Sequence, residues 1–154
     1  SYPSELSIDE VPVHIARQKA LAVAAGLSGN EIIIAADTVV VLGDEIIGKP
    51  TSREDAILIL SKLAGKTHRV ITGVVLLEGD NETAFADSTT VHFHPLTPEQ
   101  IAFYVDKYKP YDKAGAYAIQ EWIGVVGIKS VEGDFYNVMG LPVSRVMQAL
   151  QGIL

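Results

Sequence analysis

Asp37 stands in the middle of an eleven-residue apolar run, Ile32-Ile-Ile-Ala-Ala-Asp-Thr-Val-Val-Val-Leu42. An ionised carboxylate buried there without a partner would cost several kcal/mol. Two chemistries use such a group. Desolvation favours the protonated carboxyl and makes it a better base, whereas a bound cation favours the carboxylate and makes it a metal ligand. The alternative is structural: at an exposed strand end or a bulge, Asp37 would accept hydrogen bonds from backbone amides, and periodicity alone does not place the strand's ends.

Cations stand at two positions that suit an anionic ligand. Lys49, in Gly48-Lys49-Pro50, follows a turn in which glycine permits close backbone approach and proline fixes the exit. It reads either as a phosphate-binding ammonium or as a solvated lysine in a turn. Lys19 borders an apolar helical stripe between Ala16 and Val23, where a lysine either snorkels or faces a ligand. Thr72-Gly73 interrupts Val70-Ile-Thr-Gly-Val-Val75, and a strand glycine marks a bulge, the close approach of a backbone or ligand, or a packing site. Gln120 ends the small-residue segment from Asp112 with an amide that both donates and accepts, as recognition of a pyrimidine edge requires. His92 and His94 have the alternation of a two-imidazole metal site. No third ligand accompanies them at a telling spacing, so surface histidines near a strand end explain the pair more simply. The sequence holds no nucleophile elbow, Walker loop or dinucleotide glycine fingerprint.

The elements that must position these residues are legible as alternating patterns. Ser7 and Glu10 read as a capping box opening a helix from Ile8 to Ala25, with Val13, Ala16, Ala20, Val23 and Leu27 as its stripe and Gly26 as its close. The Asp37 strand turns at Gly43-Asp44 into Glu45-Ile-Ile47. Thr51 and Glu54 read as a second capping box, for a helix that buries Ala56, Ile57, Leu60, Leu63 and Ala64 and ends at Gly65. Extended patterns at Thr67 to Leu77 and Glu82 to Phe93 predict an antiparallel pair, and Thr97-Pro98 opens a helix running to Tyr108. Tyr111 to Gln120 reads as irregular. Strands are predicted at Val125 to Val131 and Phe135 to Val138, then a helix from Pro142 that buries Val143, Val146, Met147 and Leu150. Such an order indicates an α/β domain with a partly antiparallel sheet.

Composition sets the outer bounds. With 154 residues, 48% of them apolar, the chain can bury one sizeable core. A net charge of -7 with 12 Lys+Arg argues against a nucleic-acid polymer as partner. The absence of cysteine points to a cytoplasmic protein. No apolar run approaches the ~20 residues of a membrane span, and Ser1-Tyr-Pro-Ser-Glu5 lacks the plan of a signal peptide.

Read in order, Ala36-Asp-Thr-Val-Val40, Gly48-Lys49-Pro50, Thr72-Gly73-Val74, Asp112-Lys-Ala-Gly115 through Ile119-Gln120, and Asn137-Val-Met-Gly-Leu-Pro142 resemble the Maf family of nucleoside triphosphate pyrophosphatases. The resemblance covers nearly the whole chain. It implies a single domain over residues 1–154 with an inosine-triphosphatase-like fold: a mixed twisted sheet, flanking helices and a nucleotide cleft between two lobes. It further implies that Asp37 is catalytic, as base or as metal ligand, and that Lys19 and Lys49 neutralise the triphosphate. Thr38 and Gln120 match the subgroup that accepts dTTP and UTP rather than methylated guanosine triphosphate. The implied reaction is attack of water at the α-phosphorus with loss of pyrophosphate, aided by Mg²⁺ or Mn²⁺. A homodimer is the implied assembly, and a regulatory protein that inhibits septum formation is the alternative function. Two features depart from the family pattern. Its members begin with a strand and helix carrying a serine and paired arginines, so the resemblance implies that an N-terminal segment is lacking here. Glu121 also stands where a glycine commonly follows the glutamine.

Overall fold

The computed structural model describes residues 2–153. Five strands form one sheet in the order β2-β1-β3-β4-β5: β1 Ile32–Leu42, β2 Glu45–Ile47, β3 Thr67–Glu78, β4 Asn81–Phe93 and β5 Ile128–Glu132. Every pairing among them is antiparallel. The long apolar runs pair along their whole length, with Asp37 opposite Gly73 and Thr38 opposite Thr72. Because β2 pairs only with Val40 to Leu42, the outer edge of β1 around Asp37 has no strand beside it among the described residues.

One face of the sheet is covered by α1, Glu10–Ala24, whose Ala16 and Ala20 pack on Val75 and Leu77. This helix starts two residues later than its capping pattern predicts. Glu10 accepts the Ser7 N–H at 3.0 Å, but no side chain caps the helix in return. Its buried face is also narrower than expected, being Val11, Pro12, Ala16 and Ala20, while Val23 and Leu27 are 53% and 44% exposed. The cause is proximity. A Cβ on Gly73 would lie 2.3 Å from Val13 N, so α1 lies directly on the β3 backbone, with Ala16 and Ala20 the residues set against Val75 and Leu77. Gly26 is not a left-handed cap, since the helix closes through Ala25 in the right-handed region and the first positive φ comes at Gly29.

The other face is divided between two groups of helices. One group, α2 at Arg53–Leu63 and α3 at Pro98–Tyr108, packs Leu60, Leu63, Tyr104 and Val105 on Val40, Val70 and Val91. The other, α6 at Val143–Ile153, packs Val146 and Leu150 on Val74 and Leu76. The cap of α2 is Ser52, which accepts from Asp55 N at 3.0 Å, rather than Thr51. Thr51/Glu54 and Ser52/Asp55 both fit the capping pattern, and the register that buries Ala56, Leu60 and Leu63 selects the second. Ile57 and Ala64 are only partly covered, and Ile59 is buried in their place. In α3 the predicted Pro98 start is present, with a complete capping box between Thr97 and Gln100. Helix α6 keeps Val146 and Leu150 of its predicted face, but Val143 and Met147 are exposed and Ala149 and Ile153 pack in their place.

The predicted strand at Val125 to Val131 is extended only from Ile128, and the one predicted at Phe135 to Val138 is helical. Trp122–Gly127 forms α4 before the chain extends into β5, and Phe135–Met139 forms α5. Short apolar runs do not separate strand from helix by periodicity. At α5 the ends decide: Asp134 accepts from Tyr136 N at 2.8 Å, and Gly133 and Gly140 take positive φ on either side. A helix there buries the Asn137 amide, whose Nδ2 donates to Val70 O, Asp87 O and Thr89 Oγ1 at 3.0 to 3.1 Å. A single side chain thus ties α5 to both central strands.

Candidate active site

At the edge of β1, between the segment 112–120 and the C-terminal end of α5, lies a cavity of about 280 Å³, close to the lower bound for small-molecule sites. Lys19, Asp37, Thr38, Lys49 and Gln120, the five residues to which the family resemblance gives a role, all line it, whereas Thr72, Gly73, His92 and His94 do not. Asp37 and Thr38 are strand neighbours that point to opposite faces. They meet one cavity because it runs across the uncovered outer edge of β1.

Among the described residues, no backbone amide donates to Asp37 in the way a purely structural aspartate would need. Its Oδ1 accepts from Lys19 Nζ at 2.8 Å, and Lys19 also donates to Ala36 O at 3.3 Å. The side chains are 19% and 52% exposed respectively, so Lys19 reaches from α1 over the sheet edge rather than snorkelling away. Among the described residues, no donor bonds Asp37 Oδ2 and no carboxylate forms a direct ion pair with Lys49, although the Lys49 charge is felt by Asp112.

Asp112 and Lys113 belong to one of the family-like motifs but carry no role from the sequence; both line the cavity. Lys113 Nζ donates to Asp112 Oδ2 at 3.2 Å, which holds the Asp112 carboxyl below the usual carboxylate range. The cavity therefore collects three ammonium groups against two carboxylates, in a chain whose net charge is -7. The two loops that bring Lys49 and Lys113 are stitched together by Gly115 N–H donating to Gly48 O at 3.1 Å. That contact depends on Gly115, whose φ is +73° and where a Cβ would lie 2.8 Å from Val40 Cγ2.

Beyond this turn the chain is anchored by buried tyrosines. Tyr104 Oη accepts from Ala118 N at 3.1 Å and donates to Glu121 Oε1 at 2.5 Å, so Glu121 helps to hold the backbone on both sides of Gln120. Tyr117 Oη meets His68 Nε2 at 2.7 Å. His68 is 2% exposed; burial, with His92 nearby, lowers its pKa from 6.5 to about 4. It is therefore a neutral imidazole at pH 7, and unfolding restores its ordinary basicity. Between these two values the unfolded chain binds the additional proton, so stability falls as pH drops through that window. The contribution is roughly 3 kcal/mol when complete. Urea denaturation at pH 7 and pH 4 should show a smaller acid loss for His68→Phe than for the wild type; equal losses would place the acid sensitivity elsewhere.

The structure does not give His92 and His94 the shared strand face that their spacing suggests. Strand β4 ends at Phe93 with an irregularity at His92/Phe93, so His94 lies outside the strand alternation. His92 is engaged by Thr67 Oγ1 at 2.7 Å and by Glu132 Oε2 at 2.5 Å. Among the described residues, no group of three or more His, Cys, Asp or Glu side chains has metal-holding geometry.

Fold and site together define an α/β protein with a lysine-lined cleft around one half-buried carboxylate, electrostatically suited to a phosphorylated small molecule. The family model described as Maf-like protein matches residues 3–153. The chain belongs to the Maf family. It is similar to a dTTP/UTP pyrophosphatase of Bacteroides thetaiotaomicron, 46% identical over 151 residues that cover 98% of this chain and 78% of that protein. A dTTP/UTP pyrophosphatase of Cytophaga hutchinsonii is 48% identical over 151 residues, 98% of this chain and 69% of that one. One from Porphyromonas gingivalis is 45% identical over 152 residues, with 97% and 76% covered. No helix among the described residues is long and apolar enough to cross a membrane.

Proposed function

We propose that this protein is a nucleoside triphosphate pyrophosphatase that cleaves dTTP and UTP to the monophosphate and pyrophosphate. The activity for which its relatives are named supports the reading, and the observation that carries it is the convergence of Asp37, Lys19, Lys49, Thr38 and Gln120 on one cavity. Asp37 is the catalytic carboxylate. Lys19 holds its Oδ1, leaving Oδ2 to receive a proton from water. The water oxygen bonds to the α-phosphorus as the bond from that phosphorus to the bridging oxygen breaks, and pyrophosphate leaves with the electron pair. Lys19 and Lys49 meet the phosphate oxygens, and Thr38 and Gln120 meet the base.

The donor set also fits a divalent cation, because Mg²⁺ is commonly held by one or two carboxylates together with substrate phosphates. Asp37 is the residue that would hold Mg²⁺ or Mn²⁺ here. Such an ion supplies charge neutralisation across the phosphate oxygens.

The test is pyrophosphate release from a panel of nucleoside triphosphates with Mg²⁺, using the protein expressed at the full length of its coding sequence. Turnover is expected for dTTP and UTP ahead of ATP and GTP. A folded protein that releases pyrophosphate from none of them would overturn the reading.

A further inference from the structure

Behind Thr38, which lines the cavity, lies a second hydroxyl that the reaction does not use. Thr72 is fully buried, sits opposite Thr38 across β1 and β3, and places its Oγ1 2.8 Å from Thr38 Oγ1. Two backbone carbonyls from α5 and its C-terminal end flank the pair. Thr72 Oγ1 reaches Asn137 O at 3.4 Å, and Thr38 Oγ1 reaches Gly140 O at 3.4 Å. Each hydroxyl has one proton, and carbonyls only accept. Two protons therefore serve three contacts. The 2.8 Å contact needs one of them, because at that separation two facing lone pairs repel. In one arrangement Thr38 donates to Thr72, which donates to Asn137 O. In the other, Thr72 donates to Thr38, which donates to Gly140 O. In both arrangements the Thr38 proton is held inside the protein and its Oγ1 offers lone pairs to the cavity; turning that proton outward gives up the contact to Thr72 or to Gly140 O.

We propose that Thr72 is a positioning residue that fixes Thr38 as a hydrogen-bond acceptor, so that the pocket selects a base presenting an imino N–H, as uracil and thymine do, over cytosine. This rests on the pyrophosphatase reading, with the base at the Thr38 and Gln120 end. Cytosine carries a ring nitrogen acceptor where uracil carries the N–H. Against a locked acceptor it leaves two lone pairs desolvated and unmatched, which is the strong form of discrimination. Gln120 has both a donor and an acceptor and can turn its amide to suit either base, so the locked hydroxyl rather than the amide enforces the choice.

The experiment compares kcat/KM for UTP, CTP and 3-methyluridine triphosphate, whose imino N–H is replaced by a methyl group, in the wild type, Thr72→Val and Thr72→Ser. The wild type is expected to favour UTP over both analogues. Thr72→Val leaves the Thr38 proton only the 3.4 Å contact to Gly140 O, so it can turn toward the ligand, and the UTP-to-CTP ratio should fall about tenfold, near the worth of one hydrogen bond. Thr72→Ser keeps the hydroxyl and should hold the ratio within about twofold. Calorimetric binding of UMP and CMP repeats the comparison without turnover, so a packing fault that slows Thr72→Val does not mimic the result. An unchanged ratio in Thr72→Val, or a wild type that accepts CTP as readily as UTP, overturns the inference and leaves the pyrophosphatase reading standing. A wild type that cleaves none of the three overturns that reading and the inference with it.

Discussion

Asp37→Asn is expected to lower kcat/KM for UTP by about 10²- to 10⁴-fold, the range associated with losing a positioned general base, while the protein stays folded. The amide has the shape of the carboxylate and can still accept from Lys19, so little packing is disturbed. What it lacks is basicity and the negative charge that would hold a cation. Lys19 would lose its ionic partner, but at 52% exposure it stays hydrated, and no buried unpaired charge is created. The loss should therefore fall on kcat more than on KM, and the thermal midpoint should move little. Steady-state kinetics beside a melting curve read both quantities. A variant retaining more than about a tenth of wild-type kcat/KM would show that another group activates the water.

Asp37 stands out from its setting alone, because a lone acidic residue in an eleven-residue apolar run is chemically anomalous, but that setting does not choose between a structural and a chemical role. Lys49 and Gln120 have no such contrast. A lysine in a turn and a glutamine after small residues are ordinary, and they gain meaning only through the order of motifs shared with the Maf family. The partnership of Thr38 with Thr72 is illegible for a different reason: it depends on strand register across 34 residues, which neither strand's own pattern specifies. Local ambiguity explains the segments whose structure differs from their pattern. Phe135 to Val138 has the composition of a strand, but the cap at Asp134 and the glycines at 133 and 140 outweigh it, and the polar Asn137 amid apolar neighbours is the signal that points the other way. On α1 the apolar stripe continues into Val23 and Leu27 although the close sheet contact, made by Ala16 and Ala20, does not.

That close approach supports the other large expected effect. Gly73→Ala should destabilise the protein by about 3 kcal/mol, the upper part of the usual overpacking range. The new Cβ would lie 2.3 Å from Val13 N, 2.4 Å from Pro12 C and 2.6 Å from Pro12 O. These are backbone atoms, which cannot turn aside as a flexible side chain would, so α1 must lift or β3 must bend. Either movement reaches the site. Gly73 is paired with Asp37 across the sheet, and α1 carries the Lys19 that holds Asp37 Oδ1. The folded fraction of the variant should therefore show a raised KM for UTP as well as a thermal midpoint lower by roughly 6–12 °C for a domain of this size. Gly26→Ala provides the matched control, since a Cβ there meets only Val23 O at 3.8 Å and the residue has no positive φ. It should leave the midpoint within about 2 °C. If Gly73→Ala melted as late as that control, α1 would not be seated on β3 as described, and the Lys19–Asp37 contact would lose its structural basis.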